Sequence, residues 1–405
     1  MANKIQYISK KEHHMRAVPT KYRPEDLKAE EVLINMGPQH PATHGILRLE
    51  VILDGELVVD VVPHLGYLHR CFEKHAEALP YNQIIPYVDR IDYLSAMNSE
   101  HAFVMGVERM LGITGRLSPR VEYIRVLVAE LNRLASHFLA IGTYGVDLGA
   151  FTAFLWLMRD REHILRLFEW VCGARMLYNY IWIGGLYYDL PVGFEDRCSE
   201  FMHYLQPKLA EIDQLIIENK IFIARTANVG VLPLDLAINY GVSGPALRAS
   251  GLRLDLRRVD GYSVYPELEF EIPIGQGKMG QVGDCWDRTW VRMQECRESV
   301  KIIEQCLLRL TRDFKRTPSF DPQKLVPKKI RTPDQDLYVR SENPRGEVGF
   351  FFRATKRGDC PFRCKARTPS FSNLSVLPEI ARGHLLPDLV AIVGSVDIVL
   401  GEIDR

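Results

Sequence analysis

GPQHPATHG, residues 37–45, sets two histidines, His40 and His44, among two prolines and two glycines. Pro38 and Pro41 fix φ, while Gly37 and Gly45 open backbone conformations that other residues avoid. Imidazole is the side chain whose proton moves most easily near neutral pH. The stretch reads as a stiff loop carrying proton donors. Its i, i+4 histidines would suit a metal on one helical face, but Pro41 and the glycines argue against a helix, and no Glu follows His40. A structural loop and a binding loop both remain open on these nine residues.

Working outward, EVLINM precedes the loop and ILRLEVIL follows it. Leu47, Leu49, Val51 and Leu53 alternate with Arg48 and Glu50, the period of a half-buried strand. The DG at 54–55 is a hairpin signal, and ELVVDVV is the return strand. Residues 29–66 are therefore expected to form a small antiparallel β domain with the histidine loop at one end, after a polar arm over 1–28.

From about residue 67 the pattern turns helical. In 119–142, Ile124, Leu127, Leu131, Leu134, Phe138 and Ile141 form one apolar stripe. Residues 148–176 are apolar on more than one face, and 194–220 read as another helix. In 284–312, acids at Asp284 and Asp287 and bases at Arg309 and Arg312 match the helix dipole. The expected fold class is α+β: a central helical bundle over 67–313, a mixed Gly/Pro-rich insert near 228–283, and a linker and C-terminal α/β segment over 314–405.

Lysine plus arginine equals aspartate plus glutamate, 51 each. That balance gives no electrostatic case for nucleic acid or for an anionic membrane surface. The eight cysteines are scattered without a CxxC, as ordinary thiols in a reducing compartment would be. The start has no signal-peptide core. The best candidate for a membrane span, LVAIVGSVDIVL, is short and contains Asp397. A cytoplasmic chain is expected, with docking on a membrane protein left open. No Walker loop is present, and no nucleotide site is expected.

Three further stretches carry chemistry. VVPHLGYLHRCFEK gathers His64, Tyr67, His69, Arg70, Glu73 and Lys74 where a strand gives way to a helix, as a site or as a solvated helix start. YVDRIDYLSAMNSEH places Arg90, Asp92 and Tyr93 before a helix; Tyr93 is either a core tyrosine or a polar handle on a pocket. In GTYGVDLGAF, Asp147 sits in a Gly-rich break, as an N-cap for the next helix or as the partner of an imidazole.

These pieces, with ELNRLASH, RESVKIIEQ and the end SVDIVLGEIDR, resemble in order and separation the hydrogenase-like 49-kDa, or D, subunit of respiratory complex I, the NADH:quinone oxidoreductase. The resemblance runs from about residue 30 to Arg405, and GPQHPxxHG is its most specific motif. That family is related to the large subunit of nickel–iron hydrogenases, which hold metals with two CxxC motifs. Here Asp92 and Ser95 stand where the first cysteine pair would be, and Val399 and Glu402 where the second would be. A soft metal site needs thiolates. The resemblance thus implies the old pocket, completed by the C-terminal segment, without metals and reused for quinone.

The resemblance further implies that His44 and Tyr93 hold the quinone head group and that Asp147 is the acidic partner of the histidine. Cys71 departs from the family, which commonly has glycine there. Quinone would be the substrate, and no metal would be ligated by this chain. Electrons would come from a 4Fe–4S cluster in a neighbouring subunit, with FMN and NADH in other peripheral-arm subunits. Proton pumping would lie in membrane-arm subunits, and this chain would sit peripherally on the cytoplasmic face of the bacterial inner membrane. Two other readings are the equivalent subunit of a ferredoxin-dependent quinone-reducing complex and a metal-containing hydrogenase large subunit, the latter disfavoured by the missing cysteines.

Overall fold

The computed structural model describes residues 31–43, 45–316, 329–356 and 358–405. The expected arm over 1–28, His44, and residues 317–328 of the expected linker lie outside the described residues. The chain is α+β, and its helices outweigh three small antiparallel sheets.

Strands β1 (Glu31–Met36), β2 (Arg48–Asp54) and β3 (Leu57–His64) pair in that order. The DG signal ends β2, and Gly55 at φ 62° makes the two-residue turn. Alternation predicts one wet face on β2, but the central strand is covered on both. Glu50 is buried there because His64 Nε2 meets its Oε2 at 2.7 Å, and a paired polar group can be buried at little cost.

The bundle is built from α1 (Phe72–Ala78), α2 (Tyr81–Val88), α3 (Ala96–Leu111), α4 (Pro119–Asp147), α5 (Phe151–Cys172), α6 (Phe194–Ile212) and α7 (Cys285–Arg312). Ser118 in extended conformation and Pro119 at the first position start α4. The Asp284 carboxylate caps α7 by accepting from Asp287 N at 2.8 Å, as the charge pattern predicts. Helix α4 packs against α3, α5 and α7. It is buried on all sides rather than along one stripe, so Arg125, Glu130, Arg133 and His137 are interior too. They are tolerated because each has a partner; Arg125 donates to Glu108 at 2.9 and 2.7 Å.

The insert near 228–283 holds short helices at 234–239, 245–249 and 256–259 and a 3-10 turn, with no strand among the described residues. The expected mixture is replaced by loops and single helical turns. Strands β4 (Gln335–Asn343), β5 (Gly346–Ala354) and β6 (Arg363–Arg367) follow, with β4 and β5 joined by Pro344 and Arg345. Short helices then lead to α8 (Leu386–Val396) and α9 (Leu400–Asp404). One apolar cluster unites the bundle with β4–β6. A second joins β1–β3 to α8 and α9, which brings the two ends of the described chain together. No described helix is long and apolar enough to cross a membrane.

Candidate functional site

The histidine loop is held by close approaches that only glycine permits. A Cβ on Gly37 (φ 89°) would lie 2.0 Å from the Leu47 carbonyl oxygen, and one on Gly45 would lie 2.8 Å from Leu400 Cδ1. Between them, Pro41–Thr43 form a 3-10 turn packed on α8, and the buried Thr43 hydroxyl donates to His40 O at 2.7 Å. His44 itself lies outside the described residues.

This loop forms one wall of a cavity of about 320 Å³. Pro41 comes from the loop, Tyr93 and Leu94 from the turn before α3, and Asp397, Ile398 and Val399 from the turn between α8 and α9. The rest is the last two turns of α4, down to Asp147, and Phe151 and Phe154 of α5. Two of the three expected site residues, Tyr93 and Asp147, therefore face one space, beside the loop that carries the third. Of the lining residues, Val146 and Phe151 are 38 and 56% exposed, which gives the opening an apolar rim.

Asp147 is not the N-cap of the following helix. It is the last residue of α4, and Ala150 precedes α5. The glycines nearby do not break α4; they let α5 approach it. A Cβ on Gly142 would stand 3.2 Å from Phe154 Cδ2, and one on Gly145 3.4 Å from Ala150 O. A carboxylate at a helix C-terminus opposes the macrodipole, so this position is held against a local preference. Its Oδ2 lies against α8, where a Cβ on Gly394 would come within 3.0 Å.

Behind Tyr93 is a buried charge cluster. Burial pushes the Tyr93 phenol above its ordinary range, and the Arg345 guanidinium opposes that rise. Asp92 accepts from Arg345 Nη1 at 3.1 and 3.0 Å and from the Ser95 hydroxyl. Arg345 Nε is 3.5 Å from Asp397 Oδ2. Burial, and then the charge of Asp92, push Glu402 up to about 8. The Ser370 hydroxyl donates to Glu402 Oε2 and accepts from Val399 N at 3.2 Å. The four positions that the hydrogenase resemblance singles out thus gather around Arg345 and Ser370. Among the described residues, no three His, Cys, Asp or Glu side chains group as metal ligands.

The PHLGYLHRCFEK stretch does not enter this cavity. His64 is committed to Glu50, and His69 Nδ1 meets Asp404 O at 2.6 Å. Asp404 accepts from Gly66 N and Leu68 N, and Glu73 pairs with Arg363. Arg70 lines a separate hollow of about 260 Å³ with Arg90 and Arg405. Cys71 takes φ 56° before α1, a left-handed conformation that glycine adopts without cost. Sequence reasoning missed Arg345 as a site neighbour. Asp397 was visible as the lone charge in an apolar run, but that signal spoke only against a membrane span.

The family profile described as "Respiratory-chain NADH dehydrogenase, 49 Kd subunit" matches residues 147–405. Among similar proteins, the NADH-quinone oxidoreductase D subunit of Amoebophilus asiaticus is 79% identical over 387 residues, 96% of each chain. A D subunit of the NADH-quinone oxidoreductase of Cytophaga hutchinsonii is 71% identical over 94% of this chain and 97% of its own. The corresponding D subunit of Chlorobaculum tepidum is 56% identical over 94% of each.

Proposed function

The chain belongs to the 49-kDa subunit family of the respiratory-chain NADH dehydrogenase, and on that footing we propose that it is the quinone-reducing subunit of an NADH:quinone oxidoreductase, with the Tyr93–Asp147 cavity as the head-group site. The observation that carries this reading is the convergence of Tyr93, Asp147 and the histidine loop on one cavity with an apolar rim. An isoprenoid quinone needs that combination: polar groups for two carbonyl oxygens and an apolar approach for its tail.

Reducing quinone to quinol takes two electrons and two protons. As electrons arrive the carbonyl oxygens become basic, and fixed donors aimed at them in a dry site favour the reduced form. Tyr93 offers a phenol O–H and His44 an imidazole N–H. Asp147 orients the imidazole and favours its charged form. Once His44 has given up its proton, the Asp147 carboxylate has lost its cationic partner. That imbalance is relieved by movement or by another proton, which is a physical route to distant proton pumping in membrane subunits. Electrons come from a 4Fe–4S cluster in a neighbouring subunit, and NADH and FMN are bound elsewhere in the peripheral arm. The chain sits peripherally on the cytoplasmic face of the membrane.

The test is Tyr93→Phe and, separately, His44→Ala in the assembled complex. NADH:quinone activity is expected to fall by about a hundredfold, within the usual range for losing a positioned proton donor. NADH oxidation by hexacyanoferrate, an acceptor that draws electrons near the flavin, is expected to persist. Normal quinone turnover in both variants would overturn the site assignment.

A further inference from the structure

We propose that Arg345 is a positioning residue for this reaction: from the tip of the β4–β5 hairpin, its guanidinium fixes the Asp92–Tyr93 turn and stabilises the negative charge left on Tyr93 when the phenol gives its proton to a quinone oxygen. The inference rests on the reading of the cavity as a quinone head-group site.

The first observation is where the tip lies. Hairpin turns normally run over the surface. This one is buried from Ser341 to Gly346, and Arg345 is 1% exposed. The surrounding backbone is shaped to receive it. A Cβ on Gly244 (φ 70°) would lie 2.4 Å from Arg345 O, so only glycine allows the approach. Asn373 Nδ2 donates to the same oxygen at 3.1 Å, and Ser243 Oγ accepts from Glu347 N at 3.1 Å.

The second is how little of the guanidinium is used. A buried cation is costly unless it is paired and hydrogen-bonded. Arg125 in the same bundle leaves only its Nε without a partner among the described residues. It donates to both oxygens of Glu108 and to the carbonyls of Trp182 and Gly185. Arg345 spends only Nη1, on Asp92. Its Nε and Nη2 have no hydrogen-bond partner among the described residues, and neither does Asp397 Oδ2, 3.5 Å from Nε. Asp397 and Tyr93 are themselves walls of the cavity. Donor capacity held in reserve behind a cavity wall suits a charge present only during turnover.

The chemistry supplies that charge. Two electrons reach the quinone from NADH through carriers in other subunits. The Tyr93 O–H bond breaks and a quinol O–H bond forms; the second proton comes from His44. The phenolate that remains takes a proton from solvent before the next cycle. Beside Asp92 and Asp397 it would be a third negative charge in a buried cluster, and Arg345 is the cation that offsets it.

The test uses the assembled complex with NADH and a short-chain quinone. In Arg345→Gln/Asp92→Asn the pair is removed together, so net charge and shape are kept. We expect kcat to fall by at least about tenfold, KM to stay within about twofold, and the solvent deuterium isotope effect on kcat to rise as proton transfer becomes limiting. A merely structural role would not raise the isotope effect. Asp397→Asn probes the same field without touching Arg345, should the double variant fail to assemble. Removing that negative charge should lower the isotope effect; an unchanged or larger one overturns the proposal. Wild-type kcat and isotope effect in the double variant, with Tyr93→Phe still defective, sink the role of Arg345 alone. Normal turnover in Tyr93→Phe sinks the head-group reading itself.

Discussion

One hairpin feeds two buried charge clusters that solve the same problem in opposite ways. Glu342 of β4 enters the core network of the bundle, and Arg345, three residues on, enters the cluster behind the cavity. In the core network, Glu130, Asp255, Glu295 and Glu342 face Arg133, Arg248 and Arg257, with His137 Nε2 3.0 Å from Glu295. Every oxygen of these four carboxylates has a donor. Burial would raise Glu295, yet the charge of Arg248 and the bond to His137 bring it down to about 2. Behind the cavity, Glu402 Oε1 and Asp397 Oδ2 lack donors among the described residues, and Glu402 is pushed up to about 8. Equal burial thus leaves Glu130, Asp255 and Glu295 held low in one place, with Glu342 pushed up by burial among them, and a proton-holding acid in the other. What differs is whether every carboxylate oxygen has a donor; guanidinium nitrogens are left over in both places, at Arg133 and Arg248 as at Arg345.

The harshest way to break this comparison is to cut the core network. Glu130 accepts from Arg133, Arg257, Tyr265 and Ser299. Glu130→Ala leaves two buried guanidinium groups short of a counter-charge, a loss of about 3–5 kcal/mol against a typical domain stability of about 5–15 kcal/mol. The expected outcome is a chain that does not accumulate in the complex, read by native electrophoresis and by abundance. Tyr93→Phe, on the cavity side, should assemble normally and lose activity instead. A Glu130→Ala complex as abundant and heat-resistant as wild type would show that the network does not hold the bundle.

The contrast also marks what the sequence could disclose. Local signals were legible: the DG hairpin, Pro119 opening α4, and Asp284 with Arg309 and Arg312 at the two ends of α7. That Tyr93 and Asp147 would share a cavity was legible because their motifs are specific to a family. The interior of α4 was not. Glu130, Arg133 and His137 look like a solvated face until their partners arrive from residues 248–257, 295 and 342, far along the chain. Arg345 was hidden for the opposite reason: NPRG reads as a surface turn, and only its tertiary seat buries it. Gly142 and Gly145 were misread as a break, since glycine marks a kink and a close helix contact alike.

A milder probe moves a site residue without changing it. Gly394 on α8 leaves the space that Asp147 and Tyr144 occupy: its Cβ would fall 3.0 Å from Asp147 Oδ2 and 2.7 Å from Tyr144 Cδ2. Gly394→Ala is expected to cost about 1–3 kcal/mol by overpacking, too little to prevent assembly. A displacement of a few tenths of an ångström at Asp147 should still lower quinone turnover by about tenfold, because misplaced site groups cost far more rate than stability. Steady-state kinetics of the purified complex would read this. Unchanged turnover would mean that Asp147 tolerates displacement and that its placement at the end of α4 is incidental.

The smallest effect sharpens the comparison most, because it depends on a proton alone. Folding raises Glu402 from the ordinary carboxylate value of 4.5 to about 8. Between those two values the folded chain binds a proton that the unfolded chain releases, so this group makes stability fall as pH rises through that window, and adds no further slope above it. Glu295, brought down to about 2, acts with the other sign: its contribution is present above the unfolded value and is lost only as pH falls through about 2. Glu402→Gln imitates the protonated acid, and its amide oxygen can still accept from Ser370. The variant should assemble and turn over much as wild type does near pH 6. From about pH 5 to about pH 8 the wild-type temperature of thermal inactivation should fall more steeply than that of the variant, and above about pH 8 the two should run parallel. Curves parallel throughout would mean that Glu402 is ionised in the folded chain, and the two clusters would then differ in geometry but not in protonation.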